Sequence, residues 1–152
     1  KDTKTHLQDC EWVTLLCATL GSGVDKLIRQ TQVSNMAQAV VTNSLASVVV
    51  EQICDKVEEK IKEDNKNKFL TWRFSPGYGD LPLTMQSQWL SVLDAPRKIG
   101  LHTDKSNLLI PTKSVTALVG VSEKPLERKQ QGCLHCNLNE TCQFKKEGNR
   151  CV

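Results

Sequence analysis

Arg73-Phe74-Ser75-Pro76-Gly77-Tyr78-Gly79-Asp80-Leu81-Pro82 sets a guanidinium, a phenol, two prolines and two glycines within ten residues. No helix runs through Pro76, Gly77, Gly79 and Pro82, because proline lacks the N–H and glycine favours bends. The stretch reads as an irregular loop, stiffened by proline and turned by glycine. It divides the chain into a long helical pattern before it and a short helix with short strands after it. Such a loop presents Arg73 and main-chain N–H groups to a small polar ligand. Arginine suits a carboxylate, since its planar fork donates two parallel hydrogen bonds. The same residues also suit a plain turn whose Arg73 is tied to a neighbouring carboxylate.

Working upstream, Ser34 is a candidate N-cap for a helix reaching about Glu63. Met36, Val40, Val41, Leu45, Val48, Val49, Ile53, Val57 and Ile61 recur at helical spacing and are its expected core positions. Val40, Ser44, Ser47 and Glu51 fall on one stripe, a shallow groove of small residues with a carboxylate at its far end; Glu51 equally suits a wet helix face. From Asp55 to Lys68 the sequence is mostly charge and amide, as in a solvated helix end. Val24 to Gln30 reads as a short helix after Gly21-Ser22-Gly23. Glu11 to Leu20 reads as a buried strand, with helix as the competing assignment. The polar residues 1–11 give little guidance.

Downstream, a helix runs from Leu83 or Thr84 through Leu93 with Trp89, Leu90 and Leu93 on one side, closed by Ala95-Pro96. Ile99 to Thr103 and Asn107 to Ile110 read as short strands around a turn at Asp104-Lys105-Ser106. Ser114 to Val121 is a further strand, with Val115, Ala117, Val119 and Val121 on one side. This order implies an α+β fold with a mostly antiparallel sheet rather than alternating βαβ units. The expected division is a domain over 1–122, a linker over 123–132 and a cysteine-rich tail over 133–152.

The 152 residues, 39% of them hydrophobic and 24% charged, suit one globular domain. A net charge of +3 and only seven aromatic residues argue against a nucleic-acid surface. No apolar run approaches the roughly 18–20 residues that span a bilayer. The chain opens at Lys1 without an initiator Met, as a fragment or processed product would. No Gly-rich phosphate loop, G-x-S-x-G elbow or internal repeat is present.

Of seven cysteines, four crowd the last 20 residues: Cys133, Cys136, Cys142 and Cys151. Cys10, Cys17 and Cys54 are scattered among apolar residues, as buried small hydrophobes are. This asymmetry is unlike a disulfide-stapled secreted domain and points to a reducing, cytoplasmic setting. The tail's thiolates suit zinc or an iron–sulfur cluster, though the spacing is not a standard pattern for either; disulfides or free thiols are the alternatives. Its net charge of +1 (Lys145, Lys146 and Arg150 against Glu140 and Glu147) offers little to phosphate.

The set Arg73, Pro76, Gly77, Tyr78 and Pro82 resembles the R-x-x-P-G-Y-x-x-x-P signature of the C-terminal activation domain of cobalamin-dependent methionine synthase. Trp89 to Asp94 leading to Lys98-Ile99-Gly100 is similar to that family's following helix. Pro111-x-x-Ser114-Val115-Thr116-Ala117 is similar to its P-x-x-S-V-S-G, and Ser44-Leu45-Ala46 with Glu51 to its long helix. The resemblance covers about residues 35 to 122. It implies an α+β fold with a long curved antiparallel sheet flanked by helices, and binding of S-adenosylmethionine. It also implies a role in methyl transfer to, or reductive reactivation of, a corrinoid (vitamin B12) cofactor.

On this resemblance Arg73 takes the methionine carboxylate and Glu51 the other polar end of the amino acid. The main chain at Phe74 and Ser75 holds the adenosine, and Gly77 and Tyr78 shape the pocket. Two positions depart from the family: Asn67 stands where it has an acidic residue, and Val119 where it has a tyrosine. The methyltransferase and cobalamin-binding modules are not in this sequence, so cobalamin is expected only on a partner acting in trans. The alternative expectation is a non-catalytic metal- or iron–sulfur-binding adaptor that keeps the fold without the ligand.

Overall fold

The computed structural model describes residues 2–126 and 141–146. Its elements are α1 (Asp2–His6), β1 (Trp12–Thr19), α2 (Ser22–Ser34), α3 (Met36–Asp64), β2 (Phe69–Leu70), α4 (Met85–Leu93), α5 (Ala95–Ile99), β3 (His102–Thr103), β4 (Leu109–Ile110), β5 (Ser114–Ser122) and α6 (Gln143–Lys146). The fold is α+β. β5 lies between β1 and β2 in an antiparallel sheet, and β3 pairs with β4 in a separate antiparallel ribbon. The expected long curved sheet is not formed. β2 is two residues long, and the β3–β4 ribbon is cut off from β5 by Pro111, which has no N–H for a ladder.

β1 and β5 are paired along their length, from Trp12 opposite Val121 to Thr19 opposite Ser114. Strand alternation then sorts the core into two layers. Leu16, Ala18, Ala117 and Val119 face α3, where they meet Cys54 and Ile61. On the opposite face Leu118 packs with Leu81, Trp89, Leu15 and Phe74, and Cys17 packs with Leu90, Ala95 and Leu101. The sheet is thus a middle layer between α3 and the α4–α5 pair.

α3 begins one residue later than Ser34: the Asn35 side chain accepts from the Gln38 N–H at 3.1 Å, and Ser34 donates back into α2. In its second half Ile53, Val57 and Ile61 pack on the core as expected, but the first half turns a different line inward. Ala39, Ala46, Val50, Cys54 and Ile61 are buried, whereas Met36, Val40, Val41, Leu45 and Val48 are exposed. α2 packs on α3, and small residues at a helix contact let backbones approach closely; the alanines therefore face inward and the larger aliphatics outward.

Two further departures are local. Ile99 ends α5 rather than opening a strand, and Asp94, in the left-handed region at φ 54°, separates α4 from α5, whose first turn takes Pro96. Residues 2–6, unread in the sequence, form α1, and its His6 is buried against Trp72 and Phe74. Buried polar groups tie the layers together. Asp25 accepts from the Thr112 N–H and hydroxyl, both at 2.8 Å, pinning α2 to the turn before β5. Gln86 donates to the Asn107 carbonyl at 2.9 Å and accepts from Thr116.

Candidate functional site

The loop after β2 is anchored to the sheet at one residue. Phe74 exchanges both main-chain hydrogen bonds with Leu118, each at 2.9 Å, and packs its half-buried side chain on the α4 side. Alternation sends the preceding side chain, Arg73, to the α3 side. There it meets three carboxylates: Glu51 at 3.0 Å, Asp55 at 2.9 Å and Glu58 at 3.5 Å. The fold therefore brings Arg73 and Glu51 together, in direct contact with each other. Asp55 and Glu58 lie in a stretch whose sequence reads as a solvated charge run. Their signal is spacing: positions 40, 44, 47, 51, 55 and 58 continue one helical stripe.

One guanidinium against three carboxylates leaves two negative charges unmatched. Burial pushes the Glu58 carboxyl up, Arg73 opposes this, and the neighbouring Asp55 and Glu51 reinforce it. Burial works against the Arg73 charge, but its bond to Asp55 and the Glu58 and Glu51 charges hold it protonated beyond its ordinary range. Only 21% of the Arg73 side chain is accessible, against 56% for Glu51 and 63% for Asp55. The cation thus sits at the base of an acidic mouth. Beneath it, Cys54 is fully buried and its thiol is pushed up to about 11 by burial, so it is an inert part of the core.

The stripe continues toward Ser47, whose hydroxyl accepts from Lys113 at 2.8 Å. Lys113 was not singled out in the sequence; it reaches α3 from the turn between β4 and β5. Ser47 lies one helical turn from Glu51, about 6 Å along the axis, so Lys113 and Arg73 bracket a short length of α3.

The other loop residues are placed less evenly. Both main-chain groups of Phe74 are used in pairing with Leu118. Ser75 accepts from the Tyr78 N–H at 3.1 Å, closing a turn, and Gly77 and Gly79 take positive φ values of 94° and 51°. A methyl group on Gly79 would lie 2.7 Å from Asp2 Oδ2, so the loop closes against α1. Tyr78 is exposed, with its ring 6.5 Å from that of Phe74. Asn67 sits after α3 with φ 69°. Val119 is fully buried in the core under α3 and faces no open site.

Of the tail cysteines, Cys133, Cys136 and Cys151 lie outside the described residues. Cys142 is half-buried with a free thiol. Among the described residues no group of three or more His, Cys, Asp or Glu side chains is arranged to hold a metal ion, the Arg73 carboxylates included, and no helix is long and apolar enough to cross a membrane. No protein-family model matches the chain, and a comparison with curated proteins finds no match.

Proposed function

We propose that the Arg73 cluster is the amino-acid end of a site for S-adenosylmethionine, and that the protein serves corrinoid methyl transfer or reductive reactivation. The observation that carries this is the meeting of Arg73 with Glu51 across the loop and α3, the two positions the methionine synthase resemblance assigns to the ligand's amino acid. The charge balance supports it as well. S-adenosylmethionine carries a carboxylate, an ammonium and a sulfonium, a net charge of +1, and the cluster holds two unmatched negative charges. On binding, Arg73 turns from α3 to the ligand carboxylate, while Glu51 and Asp55, released from it, take the ammonium. Since Phe74 is committed to Leu118, and the Ser75 C=O, the Gly77 N–H and both main-chain groups of Tyr78 are paired within the loop, the adenosine contact falls to the Ser75 N–H and the Pro76 and Gly77 carbonyls.

In this reading the protein needs no general base. Its contribution is to orient the sulfonium methyl toward a cobalt held by a corrinoid protein in trans. With a low-potential one-electron donor, the cobalt becomes the nucleophile; the methyl–sulfur bond breaks, and sulfur keeps the electron pair as S-adenosylhomocysteine. In the same reading Cys133, Cys136, Cys142 and Cys151 would hold zinc or an iron–sulfur cluster, and only a cluster would serve as that donor. Iron and acid-labile sulfide in anaerobically purified protein support the donor; zinc without iron refutes it.

Thermal shifts with S-adenosylmethionine and S-adenosylhomocysteine test the site. The sulfonium compound stabilises more, and the gap narrows as salt rises. Equal shifts remove the charge argument, and no shift with either removes the ligand. One observation favours the adaptor alternative: Arg73 is already satisfied by α3 carboxylates, as an anchor is. It predicts no shift with either compound and a metal-loaded tail.

A further inference from the structure

We propose that the outer edge of β1 binds an extended peptide segment of a partner protein. The peptide adds a fourth strand to the sheet, sets one bulky apolar side chain into the cavity beside that edge and places a carboxylate near Lys98. This site is separate from the Arg73 cluster and does not depend on its ligand.

The main chain supplies the first argument. Among the described residues β1 pairs on one side only, with β5. The Leu20 N–H bonds to the Lys113 carbonyl at 2.9 Å, and Leu118 is paired outward to Phe74. Antiparallel alternation from these two points turns Trp12, Thr14, Leu16 and Ala18 toward β5. The N–H and C=O groups of Val13, Leu15, Cys17 and Thr19 then face outward. Among the described residues no main-chain partner bonds to them. Such a row is a template for another strand, and edges are normally blunted by charge, proline or a bulge. Trp12-Val13-Thr14-Leu15-Leu16-Cys17-Ala18-Thr19 has no charge and no proline.

The cavity supplies the second. It holds about 270 Å³ and is lined by four consecutive β1 residues, Thr14 to Cys17. Consecutive strand residues point to opposite faces, so a cavity touching all four lies at the edge. One wall is Val57 and Ile61 of α3; the other includes Ala95 and Lys98 of α5. Helices on both sides make a slot for one strand. A second copy would have to bring its own α3 and α5 into the same space. The lining is mostly apolar, and among the described residues Lys98 is its one charged group. An extended chain with an apolar residue and a nearby carboxylate matches that chemistry, and strand addition is an established mode of peptide capture.

The test uses the intact protein and an octapeptide selected against it from a random phage library. Amide hydrogen exchange is followed by nuclear magnetic resonance. Saturating peptide should slow exchange at Val13, Leu15, Cys17 and Thr19 by about tenfold or more, leaving Trp12, Thr14, Leu16 and Ala18 unchanged. Selected peptides should carry an acidic residue, and Lys98→Glu should weaken them roughly fivefold. Val57→Trp, which fills the cavity, should abolish binding; if that variant does not fold, the Lys98→Glu result and the exchange pattern still decide. Failure to select any peptide, or binding without the alternating protection, overturns the proposal. Protection of the same four amides without peptide, rising with protein concentration, also overturns it and assigns the edge to a second copy.

Discussion

Replacing Arg73 by Met keeps the side-chain stem and removes the charge that three carboxylates share. Arg73 engages Glu51, Asp55 and Glu58 at 3.0, 2.9 and 3.5 Å. Glu51 and Asp55 are mostly exposed, so each of those pairs contributes at the low end of the roughly 0.2–1 kcal/mol typical of surface pairs. Glu58 is more protected, and without Arg73 its charge is left beside Asp55 and Glu51 with no cation. The three effects are not additive; together they predict a loss of about 1–2 kcal/mol at pH 7 and low salt. Urea denaturation measures it, with an unchanged dependence on urea showing that the compact state is the same. The loss should shrink in high salt. It should also shrink as the pH falls into the range where Glu58 protonates, since a neutral Glu58 neither pairs with Arg73 nor repels its neighbours. A double-mutant cycle with Glu58→Gln should give coupling of roughly 0.5 kcal/mol or more. A loss below about 0.3 kcal/mol, or no coupling, would refute the view that these contacts form one network.

Gly120→Ala should destabilise by about 1–3 kcal/mol in the same assay, because the new methyl would lie 2.5 Å from Cys10 Sγ and 2.9 Å from Leu7 Cδ2; Cys10→Ala should recover part of the loss. Among the described residues neither ring nitrogen of the buried His6 makes a well-formed hydrogen bond, and burial holds its pKa below the usual 6.5, opposed only in part by the nearby Trp72 main chain. The unfolded chain therefore takes up the proton first, so stability should be full above pH 6.5 and fall as the pH drops below it. Melting temperatures across that range should show the decline, and His6→Leu should remove the part due to this group. Leu45→Ala should change stability by less than about 0.5 kcal/mol, whereas Ala46→Leu, one residue along, should cost about 1–3 kcal/mol; the reverse order would restore the buried face that the aliphatic spacing suggests.

β1, α2, α3 and β5 were legible in the sequence to within a few residues, because each carries a strong pattern bounded by Gly, Asn or Pro. The inward face of the first half of α3 was not. Two sets of positions, one large and aliphatic and the other built on Ala39, Ala46 and Val50, both repeat at helical spacing. Only the closeness of α2 decides between them. At the site, the proximity of Arg73 to Glu51 was legible from the resemblance and from charge. The involvement of Asp55 and Glu58 was hidden in a run of Glu and Lys that is wet along most of its length, as Lys60 with Glu63 and Asp64 shows. The role of Lys113 depends on a turn whose path local sequence does not specify. The pairing of Phe74 with Leu118 is likewise a long-range contact, and it decides which way Arg73 points.

The most direct test is calorimetric titration of S-adenosylmethionine into the intact protein and into an Arg73→Ala variant shown to be folded. The account predicts saturable binding by the parent protein and its loss in the variant. No heat from the parent protein would contradict the ligand, and binding that survives Arg73→Ala would contradict its placement at the cluster.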